Sequence, residues 1–468
     1  MTFSISNSEF SGHTLQHQNW YVQLPDTIKS CNSGGSIIIW EGLIYDLNIS
    51  RELRGNEILE LVEKSIRTKK VFDENITGQF SIVFIHASGI ALINDFCGSI
   101  PLYFRANEES VYITNNEFSL KEKGFEIDTI GLVQSAIPLM YIPLGNRTCF
   151  KDFSRLEPGA FLHLDSSGRR LFKLIDEMTC SNAPISNQEM IVEIDEHLKR
   201  NAAIYTSSFE NIVLPFSGGV DSRIILSSFR SQLKEKHVVA VSYGEPYYSD
   251  NKIAAEVCNK NGIAHFNASF RKNLFPSIKD LELLFNAGGQ YLIYGWHSVK
   301  ELLKKEGWSK KEKSVVLLGD MLDLLRAKNI KSIRSRKQRV KFALSKFFGV
   351  KTKRNHKLDQ EKFIAEVFEN HLKRLNALLE LNPNFLIDNN LDLATFLEES
   401  KKDIAEFVAL VVNKCKPNYQ ENLEECYYIL SYGSRTMAKQ VLVFKDLIEA
   451  FAPLQSRHLV KYLLSFDP

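Results

Sequence analysis

The six residues Ser217-Gly218-Gly219-Val220-Asp221-Ser222 limit what this chain can fold into more than any other stretch. An apolar run of strand length, Ile212-Val213-Leu214-Pro215-Phe216, leads into them. Arg223-Ile224-Ile225-Leu226-Ser227-Ser228-Phe229 follows as the opening of a helix. A glycine-rich turn between a buried strand and a helix N-terminus points backbone N–H groups and the positive end of the helix dipole at one spot, which suits an anion. Two adjacent glycines let the backbone approach a phosphate with no Cβ in the way. Ser217 and Ser222 add hydroxyl donors. Asp221 would repel a phosphate, so a bridging cation such as Mg2+ is the natural reason for it. The Lys-Ser/Thr pair that closes a Walker loop is missing.

A chain of 468 residues is too long for one core, so two domains or more are expected. Hydrophobic residues make up 44% and charged residues 24%, the balance of a globular protein. The net charge of +2 carries no polyanion-binding signature, so no nucleic-acid partner is expected. No stretch reaches the roughly 18 apolar residues of a membrane helix. Met1 to Asn7 shows no basic region followed by an apolar run, so no signal peptide is expected. The seven cysteines are scattered without a C-x-x-C pair, which points away from zinc and from a disulfide framework. A reducing, cytoplasmic location follows as the default expectation.

Residues 1 to about 180 are β-rich. Strands are expected at Ser36–Trp40, Gln79–Ile85, Ile90–Ile93, Ser110–Thr114, Ala160–Leu164 and Arg170–Leu174. Asp165-Ser166-Ser167-Gly168 joins the last two as a hairpin. Asn56 to Lys69 is helical, with Ile58, Leu59, Leu61, Val62 and Ile66 on one side. The polar stretch Cys180 to Asn187 is a linker, which gives domains at 1–182 and 187–468.

The second part alternates strand and helix, the pattern of a parallel sheet with helices on both faces. A helix is expected over Asn187–Tyr205. Strands are expected at His237–Gly244, Ala264–Ala268 and Ser314–Leu318. Ser249 or Asp250 should cap a helix that Gly262 stops. The strand at Ser314 runs into Gly319-Asp320-Met321-Leu322-Asp323-Leu324. Ligands of open α/β sheets sit beyond the carboxyl ends of strands, where Asp221 and Asp323 both lie, so one Mg2+ could bridge them through phosphates. The plainer alternative for Asp320 is a helix cap, and for His265 a strand-end residue. From Arg326 to Lys357 there are thirteen Lys or Arg residues and no Asp or Glu, a solvated face or an anion-binding segment. Phe363 to the end is expected to be helical, with Leu423, Tyr427 and Leu430 on one stripe and Met437, Val441, Phe444 and Ile448 on the next.

These strings resemble a known family. SGGVDS resembles the pyrophosphate loop (PP-loop) of ATP pyrophosphatases, which cleave ATP between the α and β phosphates. Glu41-Gly42-Leu43-Ile44-Tyr45-Asp46, Ile76-Thr77-Gly78-Gln79-Phe80, Asn94 to Tyr103, Thr148-Cys149-Phe150 and Leu156-Glu157-Pro158-Gly159 resemble landmarks of the glutaminase domain of asparagine synthetases. Gly319 to Leu324, Arg435 to Ala438 and Phe451 to Gln455 resemble landmarks of the synthetase domain, with Gln455 in place of an aspartate. The chain is thus similar to the asparagine synthetase superfamily, closest in pattern to members without glutaminase activity such as β-lactam synthetase and lasso-peptide cyclases. The implied fold is an N-terminal β-rich sandwich of the Ntn-hydrolase type, then a Rossmann-like parallel-sheet PP-loop domain with a helical C-terminal part.

The resemblance implies ATP and Mg2+ as cofactors. Ser217, Gly218, Gly219, Val220, Asp221, Ser222 and Gly319 would cradle phosphates, and Val241 and Ser242 would lie where adenine is read. Asp320 would serve the incoming amine, and Asp221 with Asp323 would hold the metal. Family members carry a further lysine well after the position of Gln455. This sequence reaches Pro468 first, so Arg326 or Lys328, or a partner protein, is expected to supply that cation. Thr2, Glu41 and Leu43 stand where an active glutaminase has its nucleophile, oxyanion and glutamine-binding groups, so no glutamine hydrolysis is expected. The implied function is a ligase that adenylates a carboxylate for attack by an amine, on small molecules or peptides. The alternatives are a non-catalytic nucleotide- or partner-binding relative, and a glutamine-hydrolysing asparagine synthetase.

Overall fold

The computed structural model describes residues 3–7, 15–17, 20–25, 28–107, 110–137, 144–178, 187–269, 277–278, 293–308, 313–319, 358–431, 438–445 and 447–464. Its strands are β1 (Ser4–Ser6), β2 (Leu15–His17), β3 (Trp20–Gln23), β4 (Lys29–Ser33), β5 (Ser36–Asp46), β6 (Arg51–Glu52), β7 (Ile76–His86), β8 (Gly89–Asn94), β9 (Tyr103–Ala106), β10 (Val111–Thr114), β11 (Ser154–Arg155), β12 (Ala160–Leu164), β13 (Arg170–Ile175), β14 (Asn211–Pro215), β15 (His237–Tyr243), β16 (Ala264–Ala268), β17 (Ser314–Leu317) and β18 (Glu449–Phe451). Its helices are α1 (Asn56–Thr68), α2 (Ser119–Glu122), α3 (Thr129–Ala136), α4 (Asn187–Thr206), α5 (Val220–Leu233), α6 (Ser249–Asn261), α7 (Ile293–Glu306), α8 (Gln360–Leu381), α9 (Phe385–Asp388), α10 (Leu393–Cys415), α11 (Gln420–Tyr428), α12 (Ala438–Lys445) and α13 (Arg457–Leu464). The linker expected at Cys180 to Asn187 lies outside the described residues up to 186.

The first part is two stacked antiparallel sheets. One has the order β11-β9-β10-β1-β3-β2, the other β13-β12-β8-β7-β5-β4 with β6 on β5. Ile5, Trp20, Val22 and Ile113 of the first meet Ile39, Val83, Ile85 and Leu92 of the second. The far face of the second sheet is covered by Ile58, Leu59 and Val62 of α1. With both faces covered, β7 is buried almost throughout, and its second half, Ile82-Val83-Phe84-Ile85, reads as a solid apolar run instead of an alternation. Gly42 and Gly78 lie in neighbouring strands. A Cβ on Gly42 would fall 2.0 Å from the Gln79 carbonyl oxygen, and one on Gly78 would fall 2.1 Å from that of Leu43.

The second part is built on five parallel strands in the order β16-β15-β14-β17-β18. Ile212, Leu214, Ala240 and Leu317 face one core, shared with Ile225 and Phe229 of α5 and Ala254 of α6. Val213, Val239, Val241 and Val316 face the other, shared with Trp296 and Leu302 of α7 and Phe444 of α12. The strand order reverses direction at β14, with β15 and β16 on one side and β17 and β18 on the other. That reversal is the topological switch point of a doubly wound sheet.

Two expectations are corrected here. The C-terminal part is largely helical, but α12 ends at Lys445 and Glu449–Phe451 forms β18 beside β17. The Phe451 carbonyl accepts from Leu318 N at 2.9 Å. Ile448 carried the helical spacing onward, and a three-residue strand is too short to impose its own period. Helix α6 ends at Gly262 in the left-handed region (φ 66°), as expected, but its N-cap is Tyr248 and no side chain caps it. Among the described residues no helix is long and apolar enough to cross a membrane.

The two parts share one core. Leu43, Tyr45, Phe96 and Cys97 pack with Leu198, Tyr205 and Phe451. The rings of Tyr45 and Tyr205 lie 4.7 Å apart, and those of Tyr205 and Phe451 lie 4.2 Å apart. Above this sits a buried ionic knot. Asp176 Oδ1 accepts from Arg457 Nη2 and from Lys461 Nζ, each at 2.8 Å. Lys414, fully buried, donates to the Asp176 carbonyl at 2.8 Å and lies over the Phe96 ring at 3.9 Å. Burial alone would raise the Asp176 carboxyl, but Arg457, Lys414 and Lys461 outweigh it and hold the group below the usual carboxylate range. A second tie is Arg147, whose guanidinium reaches Asp128 at 2.8 Å, Asp403 at 2.7 Å and Glu399 at 2.5 Å.

Asp176→Asn removes the only carboxylate charge in the knot and leaves buried cations uncompensated, which costs about 3–5 kcal/mol. A carboxyl depressed by folding contributes stability above its unfolded pKa of about 3.9 and loses it as pH falls through the lower folded value. Thermal melts of wild type and Asp176→Asn should therefore differ most at neutral pH and converge in acid. Equal melting temperatures at pH 7 would refute this account of the seam.

Candidate phosphate-binding site

Strand β14 ends at Pro215, Phe216 completes the approach, and α5 starts at Val220 with Gly219 as its N-cap. Ser217 Oγ accepts from Gly219 N at 3.2 Å. Ser222 Oγ donates to the Gly219 carbonyl at 3.1 Å, and Arg223 N donates to the same oxygen at 3.2 Å. The N–H groups of a helix's first turn, here beginning at Val220, have no acceptor one turn earlier in the helix. Ser217, Gly219 and Val220 are open to solvent, whereas Ser222 is buried.

Gly218 has φ +71°. A Cβ there would lie 2.8 Å from both the Asp250 carbonyl and the Ala254 nitrogen, so the loop is pressed onto the first turns of α6. The N-termini of α5 and α6 thus meet at the loop, and both dipoles add positive potential there. Gly319 follows Leu318 at the end of β17. Its nearest neighbours across the gap are the Asp221 carbonyl carbon, Ser222 N and Ile225 Cγ1, each 3.7 Å from an ideal Cβ. The structure therefore brings Ser217–Ser222 and Gly319 together at the switch point, where the crevice of such a sheet opens.

Val241 and Ser242 are placed beneath this loop. Val241 is buried, and its carbonyl accepts from Phe216 N at 2.8 Å. Ser242 Oγ lies within hydrogen-bond distance of the Phe216 carbonyl and of His265 Nε2, the latter at 2.9 Å. Burial lowers the His265 pKa from its ordinary value. No spacing in the sequence links His265 to Ser242. Only the parallel register, Val241 beside Phe266, does so. Asp320, Asp323, Arg326 and Lys328 lie outside the described residues, as do Met321, Leu322 and the rest of the basic run to 357.

The positions that resemble a glutaminase site are engaged in the fold itself. Asn115 Nδ2 donates to Glu41 at 2.9 Å, and Asn115 Oδ1 accepts from Phe3 N at 3.0 Å. Leu43 is buried in the shared core. Thr2 lies outside the described residues.

ATP fits the loop on two structural grounds. The backbone at Ser217, Gly219 and Val220 is exposed at a helix N-terminus, and Gly218 and Gly219 leave the cradle free of Cβ atoms. Asp221, on the first turn of α5, is a carboxylate that could hold Mg2+ there. Gly218→Ala should misplace the loop, because the added methyl meets backbone at 2.8 Å and the left-handed φ strains any non-glycine residue. The expected cost is about 1–3 kcal/mol in stability, with weakened binding of inorganic pyrophosphate. Calorimetry showing unchanged pyrophosphate affinity in Gly218→Ala would place the anion elsewhere.

Residues 193–321 match the family model for asparagine synthase. Among solved structures the chain is similar to an NH3-dependent NAD synthetase from Campylobacter jejuni, at 16% identity over 48% of this chain and 95% of that one, with a TM-score of 0.22. It is also similar to the U34-tRNA thiolase NcsA from Methanococcus maripaludis, at 12% identity over 55% of this chain and 82% of that one, with a TM-score of 0.24. No curated protein matches the sequence. Residues 193–321 are thus similar to asparagine synthase, and the SGGVDS loop lies within that stretch.

Proposed function

We propose that this protein is an ATP- and Mg2+-dependent ligase that adenylates a substrate carboxylate and passes the acyl group to an amine, without hydrolysing glutamine. The observation that carries the reading is the placement of the SGGVDS loop at the switch point, between the N-termini of α5 and α6 and against Gly319. In the first step a carboxylate oxygen attacks the α-phosphorus, and the bond to the β-phosphate oxygen breaks to release pyrophosphate. In the second the amine attacks the acyl carbon, the bond to AMP breaks, and Asp320 takes the amine proton. Ser217 to Ser222 and Gly319 hold the phosphates, and Val241 and Ser242 lie on the adenine side. Asp221 and Asp323 hold Mg2+, which when bound neutralises charge developing on the departing pyrophosphate. Arg326 or Lys328 supplies a further cation over the phosphates. The amine is free or peptidic, because Glu41 is tied to Asn115 and Leu43 is core, which supports a first half without glutaminase activity. The cytoplasm is the proposed compartment, and residues 1–182 and 187–468 are the proposed domains.

Nucleotide analysis of turnover should show AMP and pyrophosphate, and ADP with phosphate would overturn the reaction class. Asp221→Asn should lower AMP formation on the order of 10²-fold or more, and near-normal activity in that variant would remove the loop from the chemistry. Glutamine incubated with the protein should release no glutamate. Arg326→Ala with Lys328→Ala should weaken ATP binding or AMP formation. If the intact protein binds nucleotide but forms no AMP with any carboxylate and amine tested, the non-catalytic reading replaces this one.

A further inference from the structure

We infer that His265 and Ser242 are positioning residues that aim the first backbone N–H of the loop, that of Ser217, at the bound phosphate. The inference rests on the proposed use of the loop for phosphate. Ser242 is 2% exposed, and its hydroxyl has one proton for two neighbours. The Phe216 carbonyl can only accept, so the hydroxyl donates to it. His265 Nε2, 2.9 Å away, must then be the donor to Ser242 Oγ. That requirement places the imidazole proton on Nε2.

The consequence lies in the peptide that joins Phe216 to Ser217. Its carbonyl and N–H point in opposite directions because the peptide is planar and trans. Phe216 is held twice by β15, through its N–H on the Val241 carbonyl at 2.8 Å and through its carbonyl on Ser242. A carbonyl pinned toward β15 turns the Ser217 N–H away from it, to the crevice side. The chain of donors from imidazole to hydroxyl to carbonyl also polarises that N–H, since linked hydrogen bonds strengthen one another. His265 touches no reacting atom in this account. It acts through Ser242, and Ser242 acts through the peptide.

The test uses the full chain with inorganic pyrophosphate and ATP as probes. Ser242→Ala and His265→Ala should each weaken pyrophosphate binding about tenfold, the scale of one hydrogen bond to a charged group. Melting temperatures should stay near that of wild type. His265→Gln presents an amide nitrogen near the place of Nε2 and should recover most of the loss, and His265→Ala added to Ser242→Ala should cost nothing further. Unchanged affinity in either alanine variant, no recovery in His265→Gln, or additive losses in the double variant would each overturn the proposal. Nitrogen NMR of the wild-type imidazole gives a readout that needs no nucleotide. A proton on Nε2 supports the relay, and a proton on Nδ1 alone refutes it even if ATP binds. If wild type binds neither probe, the functional reading fails and the tautomer still decides whether the relay exists.

Discussion

Strand β14 is hydrogen-bonded in parallel to β15 on one side and to β17 on the other, and the chain runs from β14 through β15 out to β16 before returning past β14 to β17. The carboxyl end of β14 is therefore the switch point, where such a sheet opens a crevice. The loop after β14 lines that crevice, α5 begins in it, and α6 leans on Gly218 from the β15 side. Gly319 closes it from the β17 side. A glycine-rich turn elsewhere on the sheet would have a helix N-terminus but not this gap. The anion site is therefore a property of strand order as much as of the six residues that line it.

The same sheet also fixes where the first half sits. Strand β18 is its edge, and an open edge invites pairing with another strand. Here the chain past β18 is taken up by the first half and by α4. Ala452 N donates to Gln79 at 2.8 Å, Ser99 Oγ donates to Gln455 at 3.1 Å, and Asn201 Nδ2 donates to the Pro453 carbonyl at 3.1 Å. Arg457 and Lys461 continue the contact into the Asp176 knot. Any shift of the N-terminal sheets would be felt at β18, then at β17, and so at Gly319. The first half buttresses the site even though none of its described residues lines the loop.

What the sequence disclosed follows the range of the interactions. Helices α1, α4 and α5 and strands β7, β8, β12, β14 and β15 were legible because each carries its own periodicity and punctuation over five or more residues. The Ser217–Ser222 loop was legible because its chemistry is local. Strands β1, β2, β3 and β18, each three or four residues long, were not. The reason for Gly218 was hidden as well, because the atoms that exclude a side chain belong to Asp250 and Ala254. The Asp176 knot joins positions 176, 414, 457 and 461, and no pattern in the chain marks them as neighbours. The link between Ser242 and His265 depends on the register of two parallel strands, which only the folded sheet supplies.

Leu43 shows how a site can turn into a seam. The resemblance puts a substrate-binding glutamate at this position, in a strand whose neighbour Tyr45 packs on Tyr205. An ionised carboxylate buried among Tyr45, Leu198 and Tyr205 without a partner would cost several kcal/mol. A leucine there instead gains about 1.5–3 kcal/mol from burial. One substitution thus removes a reason to keep a cavity and adds a reason to close it. Glu41 takes the complementary course. Its side chain is polar, but Asn115 donates to it and in turn holds the Phe3 backbone. A glutamine pocket needs the strand end, the chain start and the oxyanion group to face an open space. Here Glu41 is tied through Asn115 to the Phe3 backbone and Leu43 is packed into the shared core, so both positions serve the fold.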